Sequence, residues 1–290
     1  MTADLKTALV TPIVVLIGAG VAWAGSQGGV TVDGAPVFAL IVAWAFLVQL
    51  VVFVPSYLKK SERFYDLTGS LTYISSALIA AVLSAPLDAR SMLLVALVIV
   101  WAARLGSFLF LRIRRAGKDD RFDELKQNPV RFLNVWTIQA LWVTFTMAAA
   151  LAAVTSAGRV ALDLFAYAGL AVWLLGFGIE AVADLQKNRF RADAANKGRF
   201  IHTGLWSWSR HPNYFGEITL WVGVALIAFP ALTGWQLVTL ISPVFVFLLI
   251  TRVSGVPLLE KKADETWSGQ AEYEAYKART SVLVPLPPRR

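Results

Sequence analysis

Residues 36–54 read PVFALIVAWAFLVQLVVFV, nineteen positions without a charged side chain. A helix needs roughly 20 mostly apolar residues to cross the hydrocarbon core of a bilayer. Inside lipid every backbone amide has to be hydrogen-bonded internally, so a spanning apolar run is helical. The polar–apolar alternation of a transmembrane β-strand is absent from this stretch. The stretch therefore predicts one membrane-spanning α-helix.

Seven further runs resemble this one. Of the 290 residues, 57% are hydrophobic and 16% are charged, whereas a soluble domain has about 25% charged residues. The eight predicted spans are 8–24, 36–54, 67–84, 92–111, 132–154, 161–183, 214–230 and 236–252. No repeat or linker divides the chain. The sequence predicts an all-α, polytopic integral membrane helix bundle, folded as a single membrane domain over residues 1–290.

The loops between the spans differ in charge. Residues 25–35 and 231–235 contain no Lys or Arg. The basic residues concentrate in 55–66, 112–131 (with Lys118 and Arg121), 184–213 and the tail ending in Arg289 and Arg290. Since basic loops stay in the cytoplasm, both termini are predicted to be cytoplasmic, and the formal charge of +8 reflects topology rather than nucleic-acid binding.

The first span has two interpretations. It follows a single Lys6 and ends in Ala22-Trp23-Ala24, an outline that a cleaved signal peptide shares. The even number of spans and the predicted cytoplasmic N-terminus favour a retained anchor.

Thiol and metal chemistry are not expected. The chain has no cysteine and two histidines, His202 and His211. Disulfides, thiolate nucleophiles and Cys-ligated metals are therefore excluded. No His-x-x-x-His spacing is present, so no metal site is predicted.

Ionisable residues within predicted spans are costly, and by default they point to function. Arg104 lies in the middle of the fourth span, where we expect an internal polar cavity. Glu180 and Asp184 are four residues apart, as are Asn213 and Glu217, so each pair shares a helix face. Each pair is either a helix-end cap or ion pair, or part of a binding site beside the basic loop.

Asp66 begins the third span. It is either an N-cap or first-turn acid, favoured by the helix dipole, or a functional carboxylate. The segment Gly176-Phe-Gly178-Ile-Glu-Ala181 formally matches a dinucleotide-binding fingerprint, but that fingerprint requires a βαβ unit. Here it lies in a predicted membrane helix, so we expect both glycines to be close-packing residues.

The loop after the sixth span is the most informative. It leads into Arg210-His211-Pro212-Asn213-Tyr214-Phe-Gly216-Glu217. Arginine forks suit phosphate recognition. An interfacial aromatic belt with positive-inside charge explains the composition of the loop but not this compact string.

With this string, the segment from Asp184 to Trp221 resembles the steroid 5-alpha-reductase (3-oxo-5-alpha-steroid 4-dehydrogenase) family, and more closely its bacterial branch of membrane proteins. Further matches are Gly204-Leu-Trp206, Ser254-Gly-Val-Pro-Leu-Leu-Glu260 and Tyr273-x-x-Tyr276-x-x-x-Thr280-Ser281. The last part of the chain matches well and the first part weakly.

The resemblance implies a seven-helix reductase core preceded by an N-terminal helix, in a bacterial inner membrane. It implies NADPH-dependent reduction of a C=C bond conjugated to a ketone, in a steroid or isoprenoid-like lipid. Residues 1–130 would bind this hydrophobic substrate, and residues 131–290 would bind NADPH from the cytoplasm.

The resemblance also implies site residues. Those for the cofactor are Arg112, Glu180, Asp184, Arg191, Arg199, Trp206, Arg210, His211, Asn213, Tyr214, Glu217, Arg252 and Glu260. Asp66 aligns with the family's substrate-binding glutamate, although the family's Gln-Glu-x-Pro is Tyr65-Asp66-Leu-Thr here. The catalytic candidates are Asp66, Tyr65, Tyr73 and Arg104.

Two other functions compete with the reductase. Membrane methyltransferases for phospholipid or isoprenylcysteine carry a related Arg-His-Pro-x-Tyr-x-Gly string and bind S-adenosylmethionine. Against them stand Asn213-Tyr214, and Glu260 followed by Lys261 instead of a second glutamate. A transporter or scaffold is the non-enzymatic alternative, and the repeated halves typical of transporters are not visible.

Overall fold

The structure, a computed structural model, describes residues 3–116, 119 and 122–288. Lys118, Arg121, Arg289 and Arg290 lie outside the described residues. The α-helices of the described chain are α1 Ala3–Ser26, α2 Val37–Leu58, α3 Tyr65–Leu83, α4 Ala89–Ala116, α5 Pro129–Thr155, α6 Leu164–Ala192, α7 Pro212–Ala228, α8 Ser242–Leu248, α9 Val256–Trp267 and α10 Ala271–Arg279. Strands β1 (Thr31–Val32) and β2 (Ala35–Pro36) pair antiparallel between α1 and α2.

Eight helical segments are long and apolar enough to cross a membrane. They are Leu5–Ser26, Val37–Leu58, Tyr65–Leu83, Ala89–Arg114, Pro129–Thr155, Leu164–Ala192, Pro212–Ala231 and Gly234–Trp267. The prediction of an all-α polytopic membrane helix bundle is confirmed. Helix α6 ends nine residues beyond the predicted 183, because hydropathy marks only the apolar part of a helix that continues into its polar end.

The eighth segment differs from the prediction of one simple helix. A 3₁₀ stretch, Gly234–Ile241, precedes α8, and a π-helical stretch, Leu249–Val253, follows it. Ser254 and Gly255 then separate this part from α9. Hydropathy did not predict these changes because it measures apolar content and not the helix type.

The chain groups into two compact units, which we call unit 1 and unit 2. Unit 1 comprises Met1–Ala166 and Ala225–Ser242, and unit 2 comprises Tyr167–Val224 and Pro243–Arg290. This grouping describes packing alone. The division of function at residues 130/131 stays a prediction.

Helix α5 forms the centre of unit 1. It packs against α1, α2, α3 and α4, and it is the most buried of the spans. Its second half contains the run Ala148-Ala-Ala-Leu-Ala-Ala153, in which every side chain is buried. Small side chains let helix backbones approach closely in a membrane bundle, which explains why α5 can accept so many neighbours.

A buried arginine ties the loops together at one end of unit 1. Arg90, 1% exposed, donates to the carbonyls of Val160, Ala161 and Ile227 and pairs with Asp163 at 2.8 Å. A buried guanidinium needs such partners because an unpaired charge is costly to bury. Arg90 is therefore accounted for structurally.

Close packing between α6 and α7 shapes unit 2. A Cβ added to Gly176 would lie 2.4 Å from the Leu220 nitrogen, and one added to Gly216 would lie 2.6 Å from the Glu180 nitrogen. The prediction that Gly176 is a close-packing residue is confirmed. For Gly178 it is wrong, because no atom lies within 4 Å of an added Cβ there.

Candidate functional site

Unit 2 contains a cavity of about 180 Å³. Its wall is formed by the end of α6, the loop that leads to α7, and helices α9 and α10. The lining residues are Lys187, Phe190, Arg191, Arg199, Phe200, Ile201, Trp206, Arg210, His211, Leu259, Glu260, Lys262, Ala263, Thr266, Trp267, Tyr273 and Tyr276. Five of these are cationic, one is a carboxylate and six are Phe, Trp or Tyr. The cavity is thus electropositive and aromatic.

The turn at Gly204 places Trp206 in the cavity wall. Gly204 has φ of +62°, and an added Cβ would lie 2.7 Å from the Gln186 side chain, so glycine is needed here. The Gln186 side chain accepts from the Leu205 N–H at 3.0 Å. The indole N–H of Trp206 donates to the Ala183 carbonyl at 3.1 Å, which fixes the turn against α6.

Helix α10 closes the opposite wall. The Tyr276 hydroxyl donates to the Trp206 carbonyl at 2.7 Å, and the Tyr276 ring stacks on Phe200 at 5.4 Å. Trp267 of α9 donates to the Gly198 carbonyl at 2.8 Å. Burial raises the pKa of the Tyr276 hydroxyl well above its usual range, so it remains a neutral donor. These bonds join three separate segments into one wall.

Glu260, the carboxylate in the cavity wall, contacts two residues that are adjacent in the chain. Glu260 lies 2.7 Å from His211 Nε2 and 3.1 Å from Arg210 Nη2. Burial lowers the pKa of His211, opposed by the carboxylate of Glu260, so the imidazole is neutral near pH 7. A neutral His211 donates from Nε2 to Glu260, leaving Nδ1 as an acceptor without a hydrogen-bond partner among the described residues.

A second polar group lies where α6 meets α7. Asn213 Nδ2 donates to Asp184 Oδ1 at 3.2 Å, and both Glu180 and Asp184 are buried. Glu180 packs beside the backbone of Gly216, and Glu217 is half-buried in the same region of α7. Two carboxylates and an amide in one place provide acceptors and a donor for a polar ligand group.

The predicted cofactor residues thus fall into several sets. Those in the cavity wall are Arg191, Arg199, Trp206, Arg210, His211 and Glu260. Those at the α6–α7 polar group are Glu180, Asp184, Asn213 and Glu217. Tyr214 stacks on His211 at 5.7 Å. Arg252 is exposed on the π-helical stretch, and Arg112 belongs to unit 1.

In unit 1, two catalytic candidates on α3, Asp66 and Tyr73, contact residues of α4. Asp66 lies in the first turn of α3, whose N-cap is Phe64, so the N-cap alternative is wrong and the first-turn position is confirmed. Asp66 pairs with Arg112 at 3.6 Å. About two turns after Asp66 on α3, the Tyr73 ring packs edge to face against the Trp101 ring, with the ring centroids 5.1 Å apart. Arg104 is half-buried on α4.

Tyr65 points to a different helix. Its hydroxyl donates to the Val135 carbonyl of α5 at 3.2 Å, and its ring packs against Phe122 and Trp136. Tyr65 and Asp66 are adjacent in sequence, so their side chains leave α3 about 100° apart. The structure therefore separates Tyr65 from the face that holds Asp66 and Tyr73.

Several cavity residues were absent from the prediction. Lys187 stands 4.4 Å above the Trp206 ring, and Lys262 lies two residues after Glu260. Phe200, Trp267, Tyr273 and Tyr276 are four of the six Phe, Trp or Tyr residues in the wall. The spacing Tyr273-x-x-Tyr276 was a usable signal, because it places both rings on one helix face.

Comparison with known proteins gives a family. The family model described as "Protein of unknown function (DUF1295)" matches residues 52–280. The chain is 25% identical over 202 residues to "Uncharacterized protein C594.04c" of Schizosaccharomyces pombe, covering 59% of each protein. No solved structure matches this chain. Since the matched region spans most of the helices described above, this membrane chain belongs to the DUF1295 family.

Proposed function

We propose that the protein is an NADPH-dependent membrane reductase of a C=C bond conjugated to a ketone. The observation that carries this proposal is the cavity of unit 2, which presents five cationic side chains, one carboxylate and six aromatic rings. Cationic forks bind phosphate and aromatic rings stack on a heterocycle, so the wall suits a phosphorylated nucleotide.

Charge favours this nucleotide over S-adenosylmethionine. NADPH carries a pyrophosphate and a 2′-phosphate, whereas S-adenosylmethionine carries a sulfonium cation and no phosphate. Arg191, Arg199 and Lys262 would repel a cation and attract phosphate groups. The methyltransferase alternative therefore lacks support from the cavity.

Size limits what the cavity holds. Sites for whole drug-sized ligands have volumes of about 300–1,000 Å³, and this cavity has about 180 Å³. One nucleotide half of a dinucleotide fits that volume better than the whole molecule. The resemblance to the steroid 5-alpha-reductase family implies that Glu180, Asp184 and Asn213 line the nucleotide site, and their acceptors and donor suit the carboxamide of the other half.

The α3–α4 face would hold the substrate. NADPH, if bound, would supply hydride for the β-carbon of the enone, and this chain would have to supply a hydrogen-bond donor to the carbonyl oxygen, where negative charge would develop. A carboxylate paired with an arginine accepts hydrogen bonds and does not donate them. Tyr73 is therefore the proposed donor to the carbonyl oxygen. The ion pair of Asp66 with Arg112 is proposed to orient the substrate.

The test begins with binding. The chain in phosphatidylcholine nanodiscs is titrated with NADPH, NADH and S-adenosylmethionine by calorimetry. We expect NADPH to bind more tightly than NADH, and S-adenosylmethionine not to bind. Binding of S-adenosylmethionine alone would establish the methyltransferase alternative, and binding of none would favour a transporter or scaffold. NADPH oxidation with a panel of enones, including a 3-oxo-4-ene steroid, then tests the reaction.

A further inference from the structure

The end of the described chain runs beside the segment that precedes α7. The Arg210 N–H donates to the Ser281 carbonyl at 2.8 Å, and the Leu286 N–H donates to the Trp208 carbonyl at 3.1 Å. Ser209 Oγ donates to the Leu283 carbonyl at 2.7 Å. We call residues 281–286 the C-terminal strap. These bonds hold the strap against residues 208–210, and its backbone bends at residues 282–284.

One edge of the strap is apolar and exposed. Val282, Val284 and Leu286 are 41%, 47% and 51% exposed, and Trp208 is 47% exposed. The three aliphatic side chains lie within five residues of one another, and we call them, together with Trp208, the apolar edge of the strap. The hydrogen bond from the Leu286 N–H to the Trp208 carbonyl brings Trp208 beside Leu286. Contiguous exposed apolar groups of this kind mark an interaction surface.

The position of the apolar edge relative to the bilayer is derived from the length of α6. A helix crosses the hydrocarbon core in roughly 20 residues, so if α6 enters at Leu164 it leaves the core near Ala183. Trp206 is hydrogen-bonded to the Ala183 carbonyl, and Leu205 to the Gln186 side chain. Trp208 follows two residues later and precedes the span that begins at Pro212 by four. Both counts place Trp208 where hydrocarbon gives way to headgroups.

The flanking charges fit the same location. Arg279 precedes the strap, and Arg289 and Arg290 follow it in the sequence. Basic residues next to an apolar edge are attracted to anionic headgroups, and tryptophan is enriched at this level of the bilayer.

We propose that the C-terminal strap and Trp208 seat in the headgroup region of the bilayer that the chain spans, as an interfacial anchor. The strap continues directly from α10, whose Tyr273 and Tyr276 line the cavity. An anchored strap therefore keeps that wall of the cavity at the membrane surface. This inference does not depend on which ligand the cavity binds.

The absence of native cysteines makes a direct test practical. Val282→Cys, Val284→Cys and Leu286→Cys are made singly in the full chain and spin-labelled in nanodiscs of phosphatidylcholine and phosphatidylglycerol. Accessibility to oxygen, which partitions into lipid, is compared with accessibility to a water-soluble nickel complex. Leu174→Cys, exposed on α6, is the lipid reference, and Glu272→Cys, 74% exposed on α10 and outside the spans, is the aqueous reference.

We expect an oxygen-to-nickel ratio at all three strap positions several-fold above that at Glu272→Cys and below that at Leu174→Cys. Ratios equal to the aqueous reference would overturn the proposal. Labels shielded from both reagents would show that a protein surface covers the strap, and would overturn it equally. All five positions are exposed or at the chain end, so the labels leave the core intact.

Discussion

His211 and Glu260 are 49 residues apart in the chain, and His211 Nε2 lies 2.7 Å from Glu260 Oε1 in the wall of the unit 2 cavity. His211 belongs to the loop before α7, and Glu260 belongs to α9. The contact joins the Arg-His-Pro-Asn-Tyr string to the C-terminal helices. Burial lowers the pKa of this imidazole although the Glu260 carboxylate opposes the shift, so His211 is neutral near pH 7.

The first prediction concerns pH. Burial holds the pKa of folded His211 below its ordinary 6.5, whereas the unfolded chain takes up the proton near 6.5. Below pH 6.5 the unfolded chain binds more protons than the folded chain. Lowering the pH therefore lowers the free energy of unfolding, until folded His211 also becomes protonated. Thermal unfolding between pH 5 and pH 8 measures how the free energy of unfolding depends on pH. His211→Asn retains a donor for Glu260 and removes the titration, so its profile should be flatter.

The second prediction concerns phosphate binding. Arg191→Lys keeps the charge and loses the bidentate fork, so it should weaken NADPH binding by about 1–3 kcal/mol. Arg189→Lys is the matched control, because Arg189 lies two residues earlier on α6 and outside the cavity wall. Calorimetric titration of both variants gives the comparison. Equal affinities for the two would remove Arg191 from the cofactor site.

The third prediction concerns the carbonyl donor. Tyr73→Phe should reduce kcat for the enone by about 10²–10³, the typical cost of removing an oxyanion donor. Its NADPH affinity should stay unchanged, because all the predicted cofactor residues except Arg112 lie in unit 2. Tyr65→Phe loses the bond to the Val135 carbonyl, so it should lose about 0.5–1.5 kcal/mol of stability and keep its turnover. Comparable turnover in both variants would contradict the assignment of Tyr73.

The same assay tests Asp66. Asp66→Asn keeps the size of the side chain and removes the ion pair with Arg112. If Asp66 orients the substrate site, this variant should fold normally and reduce the enone poorly. Full activity of Asp66→Asn would show that Asp66 is only a first-turn acid, which the helix dipole stabilises.

The fourth prediction concerns helix packing and uses two glycines of one motif. Gly176→Ala places a Cβ against the backbone of Leu220, so overpacking should cost roughly 1–3 kcal/mol. Gly178→Ala meets no atom within 4 Å and should gain roughly 0.5–1 kcal/mol from the better helix former. Thermal unfolding in detergent distinguishes them. A destabilised Gly178→Ala together with an unaffected Gly176→Ala would refute this packing.

The sequence by itself determined the membrane fold. A run such as 36–54 predicts a span because apolar length is a local property, summed along about 20 residues whatever their neighbours are. The string Arg210 to Glu217 was equally visible, because its residues are consecutive. Six of the predicted cofactor residues line the cavity, and all except Glu260 come from this string, from the loop before it or, in the case of Arg191, from the end of α6.

Only the tertiary structure decided which distant residues share a site. The path of α9 and α10 brings Lys262 and Tyr276 into the same cavity wall as Trp206, and hydropathy does not encode that path. Tyr65 and Tyr73 were equivalent in sequence, yet the rotation of α3 directs one to α5 and the other to α4. Helix rotation depends on packing against several partners at once, as Gly176 against Leu220 shows, and no single stretch of sequence contains that information.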